Sequence, residues 1–115
     1  MAQYSKRLLS NSTNGGGIFI TGTAATGTLI HTSVASGSFD EVWIYAHSQS
    51  GSALDLTLEF GGTQPNNRIF YRVPASGSGL TCIVPGFPLT DGAEVRGYAQ
   101  AANQIIITGY VNRIS

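Results

Sequence analysis

Between residues 54 and 60, Leu54, Leu56, Leu58 and Phe60 alternate with Asp55, Thr57 and Glu59. Successive side chains of an extended chain point to opposite faces, so a period of two specifies a strand buried on one side. The same period recurs elsewhere. Val42, Ile44 and Ala46 alternate with Trp43 and Tyr45; Ile69, Tyr71 and Val73 oppose Phe70 and Arg72; Val95, Gly97 and Ala99 oppose Arg96 and Tyr98. Over residues 104–114, Ile105, Ile107, Gly109 and Val111 share one side, and Ile106, Thr108, Tyr110 and Asn112 the other. Shorter candidates lie at 18–21, 28–34 and 80–84. Gly- and Pro-bearing reversals separate the runs, at 35–38, 48–52, 61–67, 74–79 and 91–92. No stretch keeps a 3.6-residue period long enough for a helix. About eight short strands at regular spacing predict an all-β fold, a single antiparallel β-sandwich or jelly roll.

The first 16 residues are a different kind of text. Lys6, Arg7, Leu8 and Leu9 precede Asn11-Ser12-Thr13-Asn14 and then Gly15-Gly16-Gly17, a run with high conformational entropy and no side chain to anchor it. The expectation is a flexible N-terminal arm, residues 1–16, hinged to a β-sandwich domain, residues 17–115. Such an arm is either a frayed terminus or a strap that orders against a neighbouring subunit. Its basic residues are not followed by an apolar region of signal-peptide length, so synthesis and first use in a reducing cytoplasm are expected. Without a secretion signal, the Asn11-Ser12-Thr13 glycosylation pattern reads as a chance match.

With 115 residues there is material for one domain. Six basic residues balance six acidic ones and only 10% of the chain is charged, which argues against a polyanion partner. No apolar run approaches the ~20 residues that span a bilayer. The hydrophobic share of 42% supplies a core, and the 15 Gly, 12 Ser and 11 Thr supply turns and polar strand faces. Yet several outward positions are apolar: Trp43 and Tyr45 on one strand, Phe70 on another, Ile106 and Tyr110 on the last. A solitary sandwich leaves such faces polar, and little charge is present to keep an apolar one in solution. Burial between copies of the chain, or under its own loops, follows.

Few residues are arranged for chemistry. His31 and His47 sit in different strands without a second His at metal-ligand spacing, so no metal site is expected. Asp40 and Glu41 are adjacent and point to opposite strand faces. Asp55 and Glu59 share a face at i and i+4, about 13 Å apart and too far for a glycosidase pair, so a solvated face is the reading. No nucleophile elbow, phosphate loop or dinucleotide fingerprint occurs. Arg68, Arg72, Arg96 and Arg113 lie near aromatics, a pairing that suits ion pairs and cation–π contacts between subunits better than stacking on bases. Cys82, the single cysteine, lies in the apolar run Leu80-Thr81-Cys82-Ile83-Val84 and reads as a small core side chain. No catalytic activity and no cofactor are expected.

The segments Glu41-Val42-Trp43-Ile44-Tyr45-Ala46, Leu54 to Gly62, Ile83-Val84-Pro85-Gly86-Phe87-Pro88-Leu89-Thr90 and Ile105 to Ile114 together resemble small β-sandwich virion structural proteins of tailed bacteriophages, of the capsid decoration (cement) type. The resemblance spans residues 39–114. It implies a head-surface protein of the virion, made in the host bacterial cytoplasm, often a homotrimer, that meets the major capsid protein and braces the shell. Similar folds serve in necks, tails and fibres. The expected contacts with other subunits or with the shell are Trp43, Tyr45, Phe70 and Tyr110, with Arg72 and Arg96 as polar rim partners. The competing reading is a lectin-like glycan-binding module, with Trp43 beside Asp40, Asn66 or Asn67.

Overall fold

The computed structural model describes residues 3–115. Nine strands follow one another: β1 Tyr4–Leu8, β2 Ile18–Phe19, β3 Thr28–Thr32, β4 Phe39–Ser48, β5 Leu54–Phe60, β6 Arg68–Val73, β7 Thr81–Leu89, β8 Glu94–Ala99 and β9 Ile105–Ile114. A single 3-10 turn, Pro65–Asn67, lies between β5 and β6. The strands form two antiparallel sheets. The first runs β1-β9-β4-β7, with β2 beside β9 past the end of β1; the second runs β3-β8-β5-β6. From β2 to β9 the chain steps between sheets at every connection except the β5–β6 hairpin, which gives the orders 2-9-4-7 and 3-8-5-6. Eight strands in two four-stranded sheets wound in this way are a jelly roll.

The alternation read from the sequence fills the space between the sheets. Val42, Ile44 and Ala46 of β4 and Ile105, Ile107 and Val111 of β9 face Leu54, Leu56 and Leu58 of β5 and Val95 and Ala99 of β8. Burying a Val, Leu or Ile side chain stabilises the fold by roughly 1.5–3 kcal/mol, and these rows are its main source of stability. Two glycines of the first sheet sit where a side chain has no room. Gly109 lies at φ +153°, and a Cβ there would overlap the Trp43 backbone carbonyl. Gly86 sits at φ +82°, with the Trp43 ring where a Cβ would be, 2.8 Å from Cζ2.

Three expectations are corrected. Within the segment expected as a hinged arm, residues 1–16, Tyr4–Leu8 form strand β1, paired with β9 from Tyr4↔Ile114 to Leu8↔Tyr110, and Leu9 is inside the core; residues 1–2 lie outside the described residues. The backbone of β1 finds hydrogen-bond partners on the last strand, about a hundred residues away in sequence, which no local pattern announces. Cys82 is exposed rather than buried. The register slips between Ile44↔Val84 and Tyr45↔Cys82, and the extra residue, Ile83, carries Cys82 to the outer side beside Tyr45. Glu59 is 1% exposed rather than solvated. The chain entering β3 passes over it, and the Gly27 N–H donates to Glu59 Oε1 at 2.8 Å.

Candidate functional site

The six contact residues expected from sequence fall on opposite sides of the molecule. Trp43, Tyr45 and Tyr110 lie on the outer face of the first sheet, because Trp43↔Tyr110 and Tyr45↔Thr108 are register partners whose neighbours Val42, Ile44 and Val111 point inward. Phe70, Arg72 and Arg96 lie on the outer face of the second sheet, in the rows Phe70–Thr57–Tyr98, Arg72–Asp55 and Arg68–Glu59–Arg96. No single surface contains all six.

The first face is aromatic. The Trp43 and Tyr110 rings stack with centroids 6.0 Å apart and planes 12° apart, and Lys6 Nζ lies 4.7 Å from the Tyr110 ring centre. An ammonium over a ring face is attracted by the ring quadrupole. The Trp43 indole is thus held between Tyr110 and Gly86. Tyr4, Leu8, Phe19 and Phe39 continue this surface and are exposed. Of the expected arm residues, Lys6 and Leu8 face outward on it; Arg7 points the other way, its Nε donating to Ser5 Oγ at 3.2 Å, and Leu9 enters the core.

The second face is charged. Asp55, Glu59, Arg68, Arg72, Glu94 and Arg96 place half of the chain's twelve charged residues on this one side. Arg72 Nε meets Asp55 Oδ1 at 3.1 Å, both well exposed, so that pair adds little stability. Arg96 Nη2 meets Glu94 Oε1 at 3.0 Å, and its Nη1 donates to the Gly27 carbonyl at 3.1 Å. Two shallow depressions adjoin at Asp55 and Thr57. One, of about 230 Å³, is lined also by Thr23, Tyr98 and Gln100; the other, of about 430 Å³, by Phe70, Tyr71 and Arg72.

A third arrangement, missed from sequence, lies between the sheets. Asp40 is fully buried and accepts four hydrogen bonds: Arg113 Nε at 2.8 Å, Arg113 Nη2 at 3.1 Å, His31 Nε2 at 2.8 Å and the Val34 N–H at 3.2 Å. The Ser10 N–H donates to His31 Nδ1 at 2.9 Å, so the ring proton sits on Nε2, facing Asp40. Ser10 Oγ in turn accepts the Thr32 N–H, and the Asn11 N–H donates to the Ile30 carbonyl. Burial alone would raise the Asp40 carboxyl, but the hydrogen bonds and charge of Arg113, with the hydrogen bond from His31, hold it below the ordinary carboxylate range. The Asp40 carboxylate and the His31 ring are enclosed and fully engaged in tying the chain after β1 to β3, β4 and β9. Its chemistry is that of a clamp. Of the partners that the competing glycan reading offered Trp43, Asp40 is excluded, because Trp43 faces out and Asp40 faces in.

The fold and these surfaces define a jelly roll with one aromatic and one charged outer face. Compared with known proteins, the chain matches no family model, and neither the curated proteins nor the solved structures yield a match.

Proposed function

We propose that this chain is a non-enzymatic structural protein of a tailed-phage virion, a capsid decoration (cement) protein that assembles with copies of itself, as a trimer, and braces the head shell through the major capsid protein. The observation that carries the reading is the contrast between the two outer faces. A low-charge jelly roll with an aromatic face on one side and an arginine- and carboxylate-rich face on the other is suited to holding neighbours on two sides. Jelly rolls recur in viral capsid domains, and that shared architecture supports the reading by analogy. In this account Trp43, Tyr45 and Tyr110 meet another copy, and Phe70, Arg72 and Arg96 meet the shell. Many copies on one particle make modest contact energies act together.

The test uses heads stripped of the protein and resupplied with purified chain. Rebinding together with a raised disruption temperature supports the proposal; heads whose stability is unchanged by the added chain sink it. A neck or tail position uses the same contacts with a different partner, and immunogold labelling of whole virions separates the two. One observation favours a second reading, glycan binding: Phe70 is 73% exposed at the rim of the depression that holds Asp55 and Arg72. A glycan array probed with the assembled protein, and giving no signal, removes that reading.

A further inference from the structure

We infer that the outer face of the first sheet is where a second copy of this chain binds, with the β1 side of one copy set against the β4–β7 side of the next. This rests on the self-assembling virion reading above and names its surface, its contact chemistry and its direction.

The register sets out the face in rows across β4, β9 and β1: Trp43–Tyr110–Leu8, Glu41–Asn112–Lys6 and Phe39–Ile114–Tyr4. Apolar side chains flank one polar row, and Leu8, Phe39 and Tyr4 are 52%, 47% and 71% exposed. The size of the face fits an interface. Strands β4 and β9 have 10 residues each, or about 33 Å of length, and four strands across make about 19 Å. The flat footprint is therefore ~600 Å², which side-chain relief raises toward the ~800 Å² per partner of a standard stable interface.

Charge chooses the occupant. Among the described residues the only carboxylate and the only ammonium on this face are Glu41 and Lys6, on either side of Asn112. A copy turned so that β1 meets the neighbouring β4–β7 side brings Lys6 to Glu41. The surface is therefore complementary to itself. The free edge of β1 is a poorer contact, because centring β1 on a second β1 would set Lys6 against Lys6. Trp43, fixed between Tyr110 and Gly86, has little side-chain freedom left to lose on binding.

The experiment is light-scattering mass measured across a dilution series, with thermal unfolding as a check on folding. Wild type is expected at a multiple of 12.0 kDa. Leu8→Glu, at an exposed position, is expected to unfold like wild type yet run as a monomer, and Phe70→Glu on the other sheet is expected to keep the wild-type mass. Lys6→Glu is expected to raise the dissociation constant on the order of tenfold, and Lys6→Glu with Glu41→Lys to restore it. Alkylation of Cys82, which borders the same face beside Tyr45, is expected to be severalfold slower in wild type than in Leu8→Glu. A wild type that is monomeric at every concentration, a Leu8→Glu protein of unchanged mass, or dissociation caused by Phe70→Glu alone overturns the inference. A monomer that still binds heads defeats this interface and leaves the head-binding proposal standing; an assembly that ignores heads does the reverse.

Discussion

Replacing Asp40 by Asn removes a charge and almost no volume from the point where β3, β4 and β9 meet. Four donors converge on the carboxylate, three of them on Oδ2 and Arg113 Nε on Oδ1. An amide has one acceptor oxygen. With that oxygen in the Oδ2 position, its NH₂ group faces Arg113 Nε, donor against donor, and the remaining bonds lose their ionic character. A hydrogen bond to a charged group contributes about 1.5–3 kcal/mol, and removing one partner of a buried ion pair costs about 3–5 kcal/mol. Arg113 is 27% exposed and regains some hydration, which places the expected loss near the lower figure, at ~3 kcal/mol. The entropy of unfolding is about 2.1 cal/mol/K per residue, or ~240 cal/mol/K for this chain, so Tm falls by ~12 °C. Because the folded carboxyl ionises at lower pH than the unfolded one, its contribution is complete above the ordinary carboxylate range and is lost as pH falls through the folded value. The Asn variant has no such group. Calorimetry from neutral to acidic pH is therefore expected to show the two stability curves converging on acidification. A neutral-pH difference under ~0.5 kcal/mol, the size of an ordinary surface effect, or a gap that widens in acid, refutes the clamp.

Neighbouring leucines are expected to behave oppositely. Leu9→Ala opens the core and lowers stability by about 2–5 kcal/mol in denaturant melts, whereas Leu8→Ala changes the stability of the dissociated chain by less than about 1 kcal/mol. Gly109→Ala places a methyl group on the Trp43 carbonyl and forces β9 from β4, with an expected loss of at least ~2 kcal/mol and an earlier unfolding midpoint. Gly86→Ala pushes the Trp43 ring off its seat, so its signature is a shifted tryptophan emission and weaker self-association. Cys82→Ser is expected within ~0.5 kcal/mol of wild type by thermal unfolding, as suits an exposed side chain.

How far the sequence speaks depends on what each feature requires. Strand β5 was legible to its ends because its inward row, Leu54, Leu56 and Leu58, is apolar and its outward row, Asp55, Thr57 and Glu59, is polar, even where the outer side is covered as well. Strand β1 was not: all five of its residues are exposed, so nothing imposes alternation on them. Strand β7 runs past the expected 80–84 through Pro85, Gly86 and Pro88, because an edge strand leaves alternate N–H groups free and tolerates proline there. The two faces were half legible. Alternation separates outward from inward residues within a strand, but only the pairing of strands shows that Trp43 and Tyr110 share a sheet and Phe70 does not. The Asp40 clamp left a trace that the sequence reading passed over. Asp40 is in phase with the inward Val42, Ile44 and Ala46, and Arg113 with Ile105, Ile107 and Val111. Two opposite charges, each at the end of an inward apolar row, mark a buried ion pair once the register Asp40↔Arg113 is known.

Tyr4 and Phe70 put the difference between the two faces within reach of one measurement. In a single chain they are almost equally exposed, at 71% and 73%, one on the aromatic face and one on the charged face. Hydroxyl-radical footprinting of the protein at assembly concentration, read by mass spectrometry, is expected to leave Tyr4 and Phe39 protected while Phe70 is modified freely. Oxidation of Tyr4 and Phe70 at comparable rates would mean that nothing covers the first sheet, and would contradict the account.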